Sequence, residues 1–216
     1  MSPFEQVTVN QAQINLWIQG AIALGSFGVV VFALWGDRIK DRWFGPKLTA
    51  SVQLEPPYCQ RITHDVWFRI RIGNDSEKSA ENVEVWLTKL WKKENKKFWI
   101  TALVPIPLKW THTDSSVARS INPSFHRYCD FGVWSIQRTI ENIYQSKTVS
   151  AFSLATALGP ANDAHILVPG SYRATIIVTA SNADPSPCVV EFEVPPDYIP
   201  VEREALNAVN LQLVAD

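Results

Sequence analysis

His126 and Cys129 stand three residues apart, and His112 and Asp114 stand two apart. Imidazole with thiolate is a metal-ligating pair, and imidazole with carboxylate is half of a general-base arrangement. Neither pair is completed. A zinc site needs two further ligands, which the sequence does not place, and strand alternation would send His126 and Cys129 to opposite faces. No Ser or Cys nucleophile is joined to His112 and Asp114 by a recognisable motif. No glycine-rich strand-to-helix turn of the phosphate-cradling kind is present either, since the glycines at 20, 25 and 28 fall inside an apolar run. The expectation is a protein that is not an enzyme and holds no metal or cofactor.

The densest local charge is Lys89, Lys92, Lys93, Lys96 and Lys97 against Glu94 alone. A solvated hairpin tip explains it, because long lysines also discourage edge-to-edge pairing. The functional alternative is contact with anionic headgroups, at roughly 1 kcal/mol per lysine near the surface. Nucleic acid is an unlikely partner for a chain whose formal net charge is -1. Trp86, Trp91, Trp99 and Trp110 surround this stretch, and nine Trp is a high count for a chain of this size. Solvent-facing members of that group would mark a contact surface, whereas buried ones are core. Lys89, Trp91, Lys92, Lys93, Lys96, Lys97 and Trp99 form the candidate binding surface.

The element best placed to position such a surface is the apolar stretch Leu16 to Trp35, about the length one helix needs to cross a bilayer. No ionisable side chain lies between Glu5 and Asp37. Trp17 and Trp35 bracket the run at the level where indole rings favour headgroups, and the helix between them rises roughly 27 Å. A cleaved signal peptide fits less well: the preceding segment has no Lys or Arg, and no small-x-small site follows. The reading is a single-pass signal-anchor.

Arg38, Lys40, Arg42 and Lys47 all follow the span, which places the C-terminal side in the cytoplasm and the N-terminus outside a plasma (inner) membrane. Trp43 and Phe44 would then sit at the inner headgroups, with Gly45-Pro46 ending the helix. Ala21, Gly25 and Gly28 fall on one helix face, a small-residue stripe that would let two helices approach closely. The residues expected to anchor the chain are Trp17, Trp35, Arg38, Lys40, Arg42 and Trp43. The expected organisation is an extracytoplasmic segment 1–13, a transmembrane helix 14–36, a basic linker 37–46, a β-domain 47–196 and a C-terminal tail 197–216.

Within 47–196 the apolar period is two. Leu48, Ala50, Val52 and Leu54 alternate with polar residues, and Val66, Phe68, Ile70 and Ile72 alternate with Trp67, Arg69 and Arg71. A strand through Val83, Val85 and Leu87 leads to the polar tip Lys92 to Lys97, and Phe98-Trp99-Ile100 returns as a hairpin. Val104 to Leu108, with two prolines, reads as an edge or loop, and Thr111 to Ser120 as a loop. Phe125 to Trp134 reads as a strand, Ser135 to Gln145 as a short helix carrying Ile136, Ile140 and Ile143, and Val149 to Leu154 as a strand. The last hairpin carries Tyr172, Ala174, Ile176 and Val178 outward, turns over Asn182 to Pro187, and returns through Val190, Phe192 and Val194. The tail could either pack through a stripe of Leu206, Val209 and Leu213 or serve a partner as a disordered peptide.

Short strands separated by turn signals predict a mainly β fold, an antiparallel β-sandwich behind one transmembrane helix. The run from Arg71 through Gly73-Asn74-Asp75 to Asn82-Val83-Glu84-Val85 resembles the turn and following strand of immunoglobulin-like and CARDB-like adhesion modules. Val168-Pro169-Gly170-Ser171-Tyr172 is similar to the entry into their penultimate strand. The resemblance implies that the Tyr172 hydroxyl ties a corner; the Cys–Trp–Cys core of antibody domains is absent. Cys59, Cys129 and Cys188 are an odd, scattered set that suits a reducing compartment, with a Cys59–Cys129 bridge between two sheets as the alternative for an exported domain.

These readings converge on a membrane-anchored scaffold that recruits or senses a partner through its sandwich. Its partners would be the lipid bilayer, a protein or membrane subunit, and a second copy through the helix. An oligomerising membrane effector of the anti-phage type is one alternative, and an exported adhesion module or enzyme is the other.

Overall fold

The computed structural model describes residues 3–101, 105–113, 115–142, 145–160 and 163–214. The chain divides into two compact units, Met1–Phe44 and Gly45–Asp216. The first is one helix, α1 (Pro3–Phe44), which takes in the expected span together with the segments on either side of it. Pro3 suits a first turn, whose N–H groups have no helical partner, and Gly45-Pro46 cannot continue the ladder.

The second unit is a pair of antiparallel sheets. One runs β1 (Leu48–Ser51), β3 (Asp65–Asn74), β9 (His126–Asn142), β10 (Gln145–Leu154) and β11 (Ile166–Leu167), with β2 (Cys59–Ile62) also on β3 and β7 (Lys109–Trp110) on β9. The other runs β14 (Gln212–Val214), β13 (Ala183–Val194), β12 (Gly170–Ala180), β4 (Ala80–Glu94) and β5 (Lys97–Ile100), with β6 (Ile106–Pro107) and β8 (Val117–Ile121) on β4.

The alternation in the sequence decides which faces meet. Val66, Phe68, Ile70 and Ile72 of β3 are wholly buried, as are Val83, Val85 and Leu87 of β4 and Ala174, Ile176 and Val178 of β12. Aromatic rings join the layers: Phe192 of β13 lies 5.1 Å from Phe131 and 5.2 Å from Phe152, centroid to centroid. Gly132 permits that packing, because a Cβ there would overlap the Phe152 ring and come within 3.0 Å of the Ser153 carbonyl. The fold is thus an antiparallel β-sandwich with a separate apolar helix.

Two polar ties hold the turns. The buried Asn74 amide donates to the carbonyls of Lys78, at 2.6 Å, and Ile121, at 2.9 Å, while its oxygen accepts from Ser76. Tyr172 donates to the Val168 carbonyl at 2.8 Å across the Pro169-Gly170 corner, where Gly170 has φ +152. A side chain at that φ would be strained, so the corner favours glycine.

Several local expectations are corrected. The segment Ser135 to Gln145 is not a short helix: β9 continues to Asn142, paired with β10 from Ser135↔Ala151 to Asn142↔Gln145. Its β-branched content and pairing partner outweigh the helical spacing of Ile136 and Ile140, and Ile143 lies outside the described residues. The Thr111 to Ser120 loop is shorter than expected, since Val117–Ile121 forms β8 on β4. Val104 lies outside the described residues, and Ile106-Pro107 form a short edge pairing.

The last turn is Ser181-Asn182, and Asp184 to Pro187 belong to β13. Prolines 185 and 187 are tolerated because β14 pairs only with residues 189–191, so this stretch of β13 has one open edge that needs no N–H donor. The tail packs: Ala205, Leu206 and Val209 of α2 (Glu202–Val209) are buried, while Leu213 sits on β14 beyond the helix. Arg61 fastens it, donating from its backbone N–H to Glu202 at 3.0 Å and from its guanidinium to Tyr198 Oη and, at 2.8 Å, to the Ile199 carbonyl. Cys59 and Cys129 carry free thiols and lie in the same sheet, so they do not bridge two sheets.

Candidate functional site

Asn15–Trp35 is long and apolar enough to cross a membrane, and none of it is buried by protein. Trp17 is 80% exposed and Trp35 52%. Nothing lies within 4 Å of where a Cβ would project from Gly25 or Gly28, and Ala21 beside them is exposed. The helix backbone runs through Arg38, Lys40, Arg42 and Trp43, whose side chains lie outside the described residues.

The lysine-rich stretch is a hairpin, but its tip is shorter than the sequence suggests. Lys92 and Lys93 belong to β4, and the turn is Asn95-Lys96, with φ 49 and 66. Both central residues in the left-handed region make this a two-residue type I′ connection, closed by the Glu94↔Lys97 pair. Register then sorts the candidate residues. Trp91 opposes Ile100 and Lys93 opposes Phe98 on one face, while Lys92 opposes Trp99 on the other. The seven candidate residues therefore do not share one surface.

On the first face the Phe98 ring takes two cations, the Arg173 guanidinium at 4.4 Å and the Lys93 ammonium at 5.7 Å. Arg173 is also paired with Glu191. Lys92 lies 3.6 Å from Glu94. Lys89, Lys96 and Lys97 are exposed. Of the four Trp near the hairpin, Trp110 is buried, Trp86 and Trp91 are half-buried, and Trp99 is 59% exposed beside Ile100 at 67%. Burial and the Glu94 charge push the Tyr172 hydroxyl up to about 12.

A second site was not legible as one. On the outer face of the first sheet, Arg69 is only 4% exposed. Its Nε donates to Asp130 Oδ1 at 3.1 Å and its Nη1 to the Pro57 carbonyl at 2.8 Å, while Thr111 donates to the same Asp130 oxygen at 2.7 Å. Segments around Pro57 and Thr111 cover this pair. They flank two clefts that share His112, one of about 550 Å³ with Trp67, Lys109 and His165 in its wall and one of about 350 Å³ with Arg69, His126 and Tyr128. Alternation marks Arg69 and Arg71 as outward-facing but carries no signal that loops from elsewhere bury that face.

His126 and Cys129 fall on opposite faces, as strand alternation requires. His126 is exposed and Cys129 fully buried, and Asp114 lies outside the described residues. Among the described residues no group of His, Cys, Asp or Glu has metal-site geometry. Burial raises the Cys59 thiol to about 11 and the Cys129 thiol further, and the neighbouring Asp130 charge adds to the latter, so both are inert nucleophiles at neutral pH.

Comparison with models of protein families and with curated proteins finds no match. Geometry alone therefore carries the functional reading.

Proposed function

We propose that this chain is a single-pass membrane anchor whose immunoglobulin-like sandwich works by binding, recruiting a protein partner at the cytoplasmic face of a plasma membrane. The observation that carries the proposal is an apolar helical stretch of 21 residues, Asn15–Trp35, none of which is buried. Such a surface is stable in lipid and unfavourable in water. The Tyr172 tie to Val168 supports the immunoglobulin-like comparison, since that corner recurs in those sandwiches. The exposed Trp99 on edge strand β5, on the face that also carries Lys92, supplies the contact surface. Tethering raises the sandwich's effective concentration toward other membrane-bound proteins.

Orientation is tested by labelling Glu77→Cys in a Cys188→Ser background with a membrane-impermeant thiol reagent, since Glu77 is exposed and the other two thiols are buried. Protection in intact cells with labelling after permeabilisation is the expected result; labelling of intact cells would move the sandwich to the outside. Recruitment is tested with a photo-crosslinking residue at Trp99 in native membranes. A discrete protein adduct is expected there and none at Glu77. Equal adducts at both positions, or none at Trp99, would reject this face.

The free face of Ala21, Gly25 and Gly28 favours a second reading, an oligomerising membrane effector. It predicts that overexpression of the full chain depolarises cells and that Gly25→Leu abolishes the effect.

A further inference from the structure

We propose that the outer face of the first sheet holds a binding site for a phosphomonoester, with the phosphate beside Arg71 and His126 and the rest of the ligand extending past His112. The inference is independent of the recruitment reading and adds a small ligand to it.

The smaller cleft, about 350 Å³, is lined by Arg69, Thr111, His112, His126, Arg127 and Tyr128 among others, and none of its described lining residues is a carboxylate. The neighbouring acid, Asp130, is already engaged by Arg69 and Thr111, so the Arg69–Asp130 pair is close to neutral. Among the described residues Arg71 is then the outward-facing cation left for a ligand. Arg71 has no carboxylate partner among the described residues: its Nη2 lies 3.4 Å from Nδ1 of His126, and its Nε is buried without a hydrogen bond. Arg127 opposes the buried Ile72 and so lies on the other face, where it gives its Nε to the Ser120 carbonyl of β8 at 3.1 Å and takes no part in the site.

A half-buried guanidinium set against an imidazole, with one N–H unmet, is electrostatically incomplete. A planar donor fork of this kind matches the oxygens of a phosphate. His126 is placed to switch partners, because its Nε2 lies 3.3 Å from the Tyr128 hydroxyl and its Nδ1 faces Arg71.

The larger cleft explains why the ligand is an ester and not the bare ion. It is about 550 Å³, shares His112 with the smaller one, and combines Trp67, Val133 and Leu154 with Lys109, His165 and the Asp130 already engaged by Arg69. Nδ1 of His165 is buried there without a partner, a second unmet polar group that the ligand body can satisfy. Apolar walls with a few convergent polar groups are the usual make-up of a small-molecule site.

The test uses the full chain in nanodiscs of uncharged lipid, titrated calorimetrically with phenyl phosphate and with inorganic phosphate. One saturable site is expected for phenyl phosphate, with inorganic phosphate weaker. His126→Gln and Arg71→Ala should each weaken phenyl phosphate about tenfold, the size of one charge-assisted hydrogen bond. Lys96→Ala with Lys97→Ala should leave it unchanged. His126 is exposed, so its variant tests the site even if Arg71→Ala fails to fold.

A second arm places phosphatidic acid in the nanodisc. Loss of phenyl phosphate binding there would identify a lipid headgroup as the source of the phosphate, and unaltered binding would identify a soluble ester. Absence of saturable binding, or equal losses from the His126 and lysine variants, would overturn the proposal.

Discussion

The helix and the sandwich use the same apolar residue types in opposite environments. In α1, Leu24, Phe27 and Phe32 are each more than two-thirds exposed, whereas Phe68, Leu87 and Phe152 of the sandwich are wholly buried. The sandwich satisfies its apolar side chains within the chain, so its sequence is constrained by shape. On the proposed reading the helix finds its partners outside the chain, in lipid or another helix, and its sequence is constrained by length and by absence of charge. Substitutions should therefore act on folding in one unit and on association in the other.

The largest effect should come from Arg69→Ala. It strands Asp130, whose side chain is 13% exposed, and should cost about 3–5 kcal/mol in denaturant unfolding followed by tryptophan fluorescence. A cost below about 1 kcal/mol would mean that the pair is well solvated. Next comes alkaline pH. The Cys59 thiol is raised to about 11 from an ordinary 9, so the folded state holds that proton more tightly than the unfolded one. The resulting stability is complete below about pH 9 and is lost as pH rises through about 11, roughly 2.7 kcal/mol in all. Cys59→Ala should flatten that part of the alkaline decline, and an unaltered profile would show that Cys129 or Tyr172 governs it.

Gly132→Ala should destabilise the sandwich by about 1–3 kcal/mol, since the Phe152 ring it would strike is locked among Phe68, Phe131 and Phe192. Gly25→Leu breaks the comparison from the other side. With nothing within 4 Å of that position, the unfolding midpoint of the sandwich should not move, while crosslinked oligomers of the full chain should decline. A shifted midpoint would show that the two units are energetically coupled.

Legibility followed the reach of each interaction. Alternation marked β3, and apolar length marked the helix, because both signals lie inside one element. The end of β9 has no local signature because Ile136 and Ile140 suit either period, and the strand β10 that decides between them comes later in the chain. Pro185 and Pro187 read as a turn because a sequence does not show that β13 has an open edge at that point. The hairpin lysines were found, yet a tip taken as Lys92 to Lys97 hid the fact that a two-residue turn assigns them to different faces. The clefts leave no local signal, since Arg69 and His126 join His112 in one, and His165 joins it in the other, only through tertiary cover.

The Asn95-Lys96 turn imposes a parity rule on any remodelling of its hairpin. Side chains alternate with a period of two, so lengthening both strands by two residues would preserve which cations rest on Phe98 and which side carries Trp99. A single inserted residue in one strand would exchange those sides beyond the insertion. Natural variants of this hairpin should therefore differ in length by even steps, and a designer grafting its cation-and-ring pattern elsewhere would need to carry the turn with it.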